Sequence, residues 1–297
     1  MRKAEALEVL QSVPLDEVRN MCAAGRSAFG RTVDLCAIMN ARNGGCRENC
    51  GFCAQSGVPG GIMEDADTLN SMHRRASAAG IGRFSIVTSG GRTGKKEMDT
   101  VCHAAAMGNG LSPLCGSLGL LELDELKQLK DAGFTRYHHN LETSERYFPS
   151  VCITHSWEQR VSTVEAASRA GLSVCSGGIM GIGESDEDRV DLALALAELP
   201  VSSIALNFYV PVDGARISEE YLSPEKRLRI TAMFFLVNPV REVRICAGRK
   251  GFGDMEGMVF DFGATGIMTG DLLTTAGSSL EDDRRLIEEA GYRHGIS

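Results

Sequence analysis

An α/β fold closed into a (β/α)8 TIM-type barrel, with an N-terminal helical extension, is the architecture this 297-residue sequence predicts. Three observations lead there. Eight short apolar runs, centred on 33–38, 83–88, 113–118, 136–139, 173–178, 202–207, 242–246 and 265–269, read as strands. Helical patterns lie between most of them, among them Leu123 to Leu129, Val161 to Ala170, Val190 to Leu199 and Pro224 to Val237, each ending near Gly or Pro. With 43% hydrophobic residues the chain can bury a large core, and one barrel would use its whole length.

In chain order, residues 4–11 and 15–23 come first, as two amphipathic helices within a cap over 1–30. Ala6, Leu7 and Leu10, then Leu15, Val18, Met21 and Cys22, fall at helical spacing, and Pro14 opens the second helix. The barrel is expected over 33–275 and a C-terminal helix over 276–297, all in one domain, 1–297. Active sites of such barrels lie at the C-terminal strand ends, and bulky apolar side chains normally fill the interior. Several strands here instead carry Ser85 and Thr88, Cys115 and Ser117, Cys175 and Ser176, Asn207, or Arg244 and Cys246. A barrel lined in this way holds something polar or metallic.

The formal charge of −8 and a charged fraction of 24% argue against a nucleic-acid backbone or an anionic membrane as main partner, and point to a small substrate. Ten cysteines would suit disulfides in a short secreted chain. This one is long, opens with Met1-Arg2-Lys3-Ala4-Glu5-Ala6 and shows no apolar signal segment or membrane-length run, so a reducing, cytoplasmic setting is expected.

The strongest signal is Cys46-Arg47-Glu48-Asn49-Cys50-Gly51-Phe52-Cys53, three thiols in a short polar loop directly after the first strand. Three soft thiolates suit iron–sulfur or zinc, but a closed zinc site wants a fourth ligand, and no fourth lies nearby in sequence. A metal held here would keep an open coordination position; the bland alternative is a structural zinc knuckle. The CxxxCxxC spacing, with an aromatic before the third Cys, resembles the cluster loop of radical S-adenosylmethionine (SAM) enzymes.

Further segments extend the resemblance over nearly the whole chain. They are Cys46–Gln55, Leu114–Gly119, His139–Ser144, Thr154-His155 with Arg160, Cys175–Ile179 through Gly181–Ser185, Val243–Arg249 and Thr269–Thr275. In order and spacing they are similar to the biotin synthase family. The resemblance implies that Cys46, Cys50 and Cys53 hold a [4Fe–4S] cluster that binds SAM, and that one electron breaks the sulfonium to give a 5′-deoxyadenosyl radical. It implies dethiobiotin as substrate and an auxiliary iron–sulfur cluster as sulfur donor. Glu142 would accept the ribose hydroxyls and Arg160 would pair with the methionyl carboxylate. Phe52 would lie on the adenine, and the Thr88-Ser89-Gly90 turn would offer carbonyls to the ammonium. Glu142 as a helix N-terminal acid and Arg160 as a surface arginine are the alternatives on the residues alone.

Asn140 and Asn207 match the family's contacts to the cyclic urea. The chain departs from pattern at His138, where an amide is usual. It departs again at the auxiliary site, which keeps Cys115, Cys175 and Arg244 but has Ser85 in place of a third cysteine. Cys246 lies two residues after Arg244, on the same strand face, and is the expected replacement ligand. Cys22, Cys36, Cys102 and Cys152 read as small buried apolar residues, and His73, His103, His155 and His294 as structural histidines. The resemblance further implies a homodimer and a flavodoxin or ferredoxin as electron donor. Two other readings stay open: a related radical SAM enzyme without sulfur insertion, and a non-catalytic protein that stores or senses metal.

Overall fold

In the computed structural model, which describes residues 1–218, 220–271 and 277–295, a closed parallel barrel occupies most of the chain. Its front end is α1 (Lys3–Gln11) and α2 (Leu15–Ser27), with Pro14 as the N-cap of α2. The strands and helices then alternate. They are β1 (Thr32–Arg42), α3 (Ala66–Ala78), β2 (Arg83–Thr88), α4 (Lys95–Met107), β3 (Leu114–Ser117), α5 (Leu123–Asp131), β4 (Arg136–His138), α6 (Phe148–Val151) and α7 (Trp157–Arg169). After them come β5 (Ser173–Met180), α8 (Asp186–Glu198), β6 (Ser203–Phe208), α9 (Pro224–Val237), β7 (Glu242–Ile245), a 3-10 segment (Arg249–Phe260) and β8 (Gly266–Met268). All eight expected strands form, and β1 pairs with both β2 and β8, which closes the sheet.

Two boundaries differ from expectation. The last expected helix, 276–297, is shorter: α10 spans Leu280–Glu289 and stops at Gly291, whose φ of 78° ends a helix without strain. The chain then buries Tyr292 and adds β9 (Arg293–His294) beside Thr32 and Val33 of β1. Also, β7 ends at Ile245, one residue short of Cys246. The ladder nevertheless continues, because Cys246 N–H donates to the Leu206 carbonyl at 2.8 Å, so the alternation that aims Arg244 and Cys246 inward is kept. The expected match at Leu272–Thr275 lies outside the described residues.

The apolar core lies between sheet and helices. Phe134, Tyr137, Phe208, Phe234, Phe235, Phe252, Phe260 and Phe262 are fully buried there. Each such side chain contributes about 1.5–3 kcal/mol on burial, enough to hold the shell without a bulky interior. The small and polar inward residues leave a chamber of about 390 Å³ open toward the C-terminal strand ends. No helix among the described residues is long and apolar enough to cross a membrane.

Candidate metal centres and cofactor pocket

The loop after β1 is stitched both to itself, where Gly45 N–H donates to the Val58 carbonyl at 2.8 Å and Ser56 Oγ to the Glu48 carbonyl at 2.9 Å, and to distant chain. Gly51 N–H donates to the Val151 carbonyl at 2.8 Å, and the Gly51 carbonyl accepts from Arg216 and Ile217 at 2.7 and 3.1 Å. A Cβ on Gly51 would stand 2.8 Å from Ile217, so this close approach requires glycine. The loop thereby presents Cys46, Cys50 and Cys53, all half-buried, to the mouth of the chamber. Burial pushes the Cys50 and Cys53 thiols up. Metal binding at such thiols therefore releases protons.

Glu142 and Arg160 meet across the mouth, which removes the surface reading of Arg160, and Glu142 bridges to Gly178 ahead of α6 and is not in a helix first turn. Ser156 caps α7 and receives the Gln159 N–H at 3.3 Å, which fixes the first turn that carries Arg160. Arg160 Nη1 lies 3.3 Å from Glu142 Oε1 and 2.8 Å from the Asn140 carbonyl. Glu142 is the only non-glycine among the described residues with positive φ, at 70°. Strain of this kind persists only where the surroundings over-determine it. Here the Glu142 backbone is clamped to Gly177 and Ile179, at 3.1 and 2.7 Å. Burial raises the carboxyl, while Arg160 and the Asn140 side chain oppose the rise.

His155, expected to be structural, belongs to this network. Arg160 Nε donates to His155 Nε2 at 3.0 Å. A guanidinium can only donate, so Nε2 holds the lone pair and Nδ1 carries the proton, which goes to Glu48 Oε2 at 2.7 Å. Glu48 also accepts from Thr154, tying the cysteine loop to the Arg160 helix. Cys152 is buried as expected, at 3% exposed, and its sulfur lies 3.7 Å from that of Cys50. Cys50, Cys152 and His155 have ligand atoms within 4.8 Å of one another, but both nitrogens of His155 are engaged, so the trio is no metal site as arranged.

The other expected residues also border the chamber. Phe52 packs with Ile179 and Tyr209. Thr88 hydrogen-bonds Thr93 at 2.8 Å, and Ser89 Oγ donates to the Gly44 carbonyl at 2.5 Å. The Ser89 carbonyl accepts from Arg42, so one of its lone pairs is already used, and Gly90 must lack a Cβ because one would stand 2.7 Å from Arg42 Nη2. His138, Asn140 and Asn207 form the waist. Asn207 Nδ2 reaches the Gly178 carbonyl at 3.4 Å, and its Oδ1 accepts from Ala247 N–H at 3.3 Å; both contacts are long. His138 opens onto the chamber yet lies deep in the barrel. Burial, then Arg136, Arg244 and Arg83, holds its pKa at about 3. It is a neutral imidazole.

Below the waist lie Cys175, Cys246 and Arg244, with Cys115 fully buried behind them. Burial pushes Cys115 up to about 12 and Cys246 well above the usual thiol range. Under these thiols is a charged floor that sequence reasoning missed. Arg136 holds Glu242 with two bonds of 2.7 and 3.2 Å, Arg244 bonds Asp34 at 2.8 Å and Glu242 at 3.2 Å, and Arg83 lies 3.3 Å from Asp34. Three guanidiniums face two carboxylates. The signal available in sequence was a charge inside each apolar run: Asp34, Arg136 and Glu242.

This barrel and its thiol loop define a radical SAM enzyme: residues 42–196 match the radical SAM superfamily, and 205–293 match the Biotin and Thiamin Synthesis associated domain. Relatives include the biotin synthases of Maridesulfovibrio salexigens, 45% identical over 89% of this chain and 83% of the relative, and Akkermansia muciniphila, 41% identical over 97% and 92%. The chain belongs to the biotin synthase family. Among solved structures, methylornithine synthase superposes with a TM-score of 0.83 at 15% identity, covering 99% of this chain and 94% of the other. An FeFe-hydrogenase maturase from Carboxydothermus hydrogenoformans gives 0.83 at 14%, covering 99% and 76%. Both show the fold alone.

The family brings a [4Fe–4S] cluster, SAM and an auxiliary iron–sulfur cluster. The residues present fit such groups. Soft thiols stand at both ends of one chamber, and inside the barrel Arg244 Nη1 and, nearer the mouth, Ser85 Oγ are buried without a hydrogen-bond partner.

Proposed function

We propose that this chain converts dethiobiotin to biotin. The observation that supports this most is that one chamber carries a cysteine set at each end with a polar, uncharged waist between them. Cys46, Cys50 and Cys53 would hold the [4Fe–4S] cluster, which with SAM supplies abstraction of hydrogen from unactivated carbon. Arg160 would turn its fork to the SAM carboxylate, Glu142 would take the ribose hydroxyls, Phe52 would cover the adenine, and the Thr88-Ser89-Gly90 turn would face the ammonium. Asn140, Asn207 and neutral His138 would hold the cyclic urea. Cys115, Cys175, Cys246 and Arg244 would hold the auxiliary cluster, the sulfur donor.

The chain, 1–297, would work as one barrel unit in the cytoplasm, as a homodimer with a flavodoxin or ferredoxin as electron donor. Anaerobic reconstitution, followed by incubation with SAM, reductant and dethiobiotin, tests it: biotin together with 5′-deoxyadenosine is expected. Deoxyadenosine without biotin would favour the reading without sulfur insertion, which Ser85 in a usual cysteine position also suggests.

A further inference from the structure

The strand register singles out a thiol that the reading above leaves unused. In a closed eight-stranded barrel with the usual tilt, side chains at one height come from alternate strands, and the level rises by one residue at each strand relative to the hydrogen-bonded register. Cys36 pairs with Arg83, so Phe84 is level with it; Phe84 pairs with Leu114, which brings in Cys115. Cys115 pairs with Arg136 and Tyr137 pairs with Val174, so Tyr137 and Cys175 follow. Ser203 and Val243 are the next partners and bring in Ile204 and Arg244. Gly266 brings in Ile267, and Ile267 pairs with Leu35, which returns the circuit to Cys36.

The circuit closes on itself and sorts its members by face. Phe84, Tyr137, Ile204 and Ile267 all lie in the apolar shell outside the sheet. The inward layer is Cys36, Cys115, Cys175 and Arg244, where a barrel normally places bulky branched side chains. Cys246 stands two residues nearer the mouth on β7. Ser85 also stands nearer the mouth, since it pairs with Ile38 and not with Cys36.

We propose that Cys36 is a thiolate ligand of the auxiliary cluster, level with Cys115 and Cys175, in the sector that Ser85 leaves without a thiol. The proposal rests on the auxiliary-cluster reading above. Cys36 is 3% exposed, and its sulfur meets the Ile267 carbonyl at 3.7 Å and interacts with the Arg244 guanidinium of the same layer. Arg244 in the same layer is 2% exposed with Nη1 unpartnered, and Gly266 keeps that space open, because a Cβ there would stand 2.7 Å from Nη1. Burial raises the Cys36 thiol, Arg244 opposes the rise, and Cys36 in turn bears on both Cys115 and Cys246. The surplus guanidinium of the floor faces this layer and offsets the negative charge of a thiolate-bound cluster. On binding, the Cys36 S–H bond gives its proton to solvent as an Fe–S bond forms, with no change in the oxidation state of sulfur.

Iron and acid-labile sulfide are measured on anaerobically reconstituted holoenzyme, beside Mössbauer spectra and 5′-deoxyadenosine formation. Cys36→Ala is expected to lose the auxiliary iron and sulfide, keep the radical cluster and still cleave SAM. Cys36→Ser is expected to shift the auxiliary Mössbauer signal, because oxygen replaces sulfur on iron; a packing role would leave it unmoved. Full auxiliary iron with an unshifted spectrum in both variants overturns the proposal. Failure of the underlying reading is distinct: Cys115→Ala and Cys175→Ala would then also keep all their iron.

Discussion

The two ends of the chamber assemble their thiols by opposite routes. At the mouth, three thiols sit in one loop between Cys46 and Cys53, half-buried and carried by neighbouring backbone. At the floor, each thiol comes from a different strand, from Cys36 to Cys246, and all are buried against a network of arginines and carboxylates. A loop can be reordered around whatever it binds. A barrel layer cannot, since each ligand is held by its own strand register and by the shell outside it. The difference implies that mouth variants lose chemistry and keep the fold, whereas floor variants put chemistry and stability at risk together.

The largest expected effect tests the first half of that contrast. Replacing Cys46, Cys50 or Cys53 by Ala should abolish reductive SAM cleavage and leave the thermal unfolding midpoint of the apoprotein unchanged. Undiminished 5′-deoxyadenosine from any of the three would remove the loop from the chemistry. Next comes Cys246→Ala, expected to form no biotin and to lose auxiliary iron while still producing 5′-deoxyadenosine; Ser85→Ala should keep both clusters, because a neutral hydroxyl is a poor iron ligand beside thiolates. Normal biotin formation by the Cys246 variant would leave Cys36, Cys115 and Cys175 as the ligand set.

Smaller effects probe the connection between the two ends. Arg160→Ala should weaken SAM binding by roughly 2–5 kcal/mol, read as a change in dissociation constant, since it removes one partner of a desolvated charge pair. Its side chain is 11% exposed and also holds His155 and the Asn140 carbonyl, so Arg160→Lys should recover only part of the loss. An unchanged constant would place the carboxylate elsewhere.

The waist and the floor together make the apoprotein sensitive to acid. His138 has a folded pKa of about 3, well below the value of about 6.5 for an exposed histidine. The fold therefore binds fewer protons than the unfolded chain. This stability is complete above pH ~6.5 and is lost as pH falls, at up to about 1.4 kcal/mol per pH unit. Glu242 adds a second window. Burial alone would raise it, but Arg136, then Arg244 and Arg83, hold it at about 2, so its contribution of about 3 kcal/mol is lost only below pH ~4.3. Thermal unfolding against pH should show His138→Asn flattening the upper window and sparing the lower one; equal slopes in both proteins would contradict the assignment.

What the sequence determined by itself was local or periodic. The spacing of Cys46, Cys50 and Cys53 alone brings three soft thiols together, and the eight apolar runs declare strands because alternation with helical patterns is a property of neighbours in the chain. The placement of Glu142 and Arg160 in a SAM pocket came from resemblance, and the structure adds the ion pair, the left-handed backbone of Glu142 and the proton position on His155. Only the tertiary structure decided the rest. That Cys36 faces into the barrel was not legible, because an apolar run does not say which of its faces points inward. The nearness of Cys152 to Cys50 was hidden because the two lie about a hundred residues apart along the chain. Glu242 and Arg136, from β7 and β4, showed no sign of each other in the sequence. The physical reason is register: which residues share a layer depends on strand pairing summed round the whole barrel, and that sum exists only once the sheet has closed.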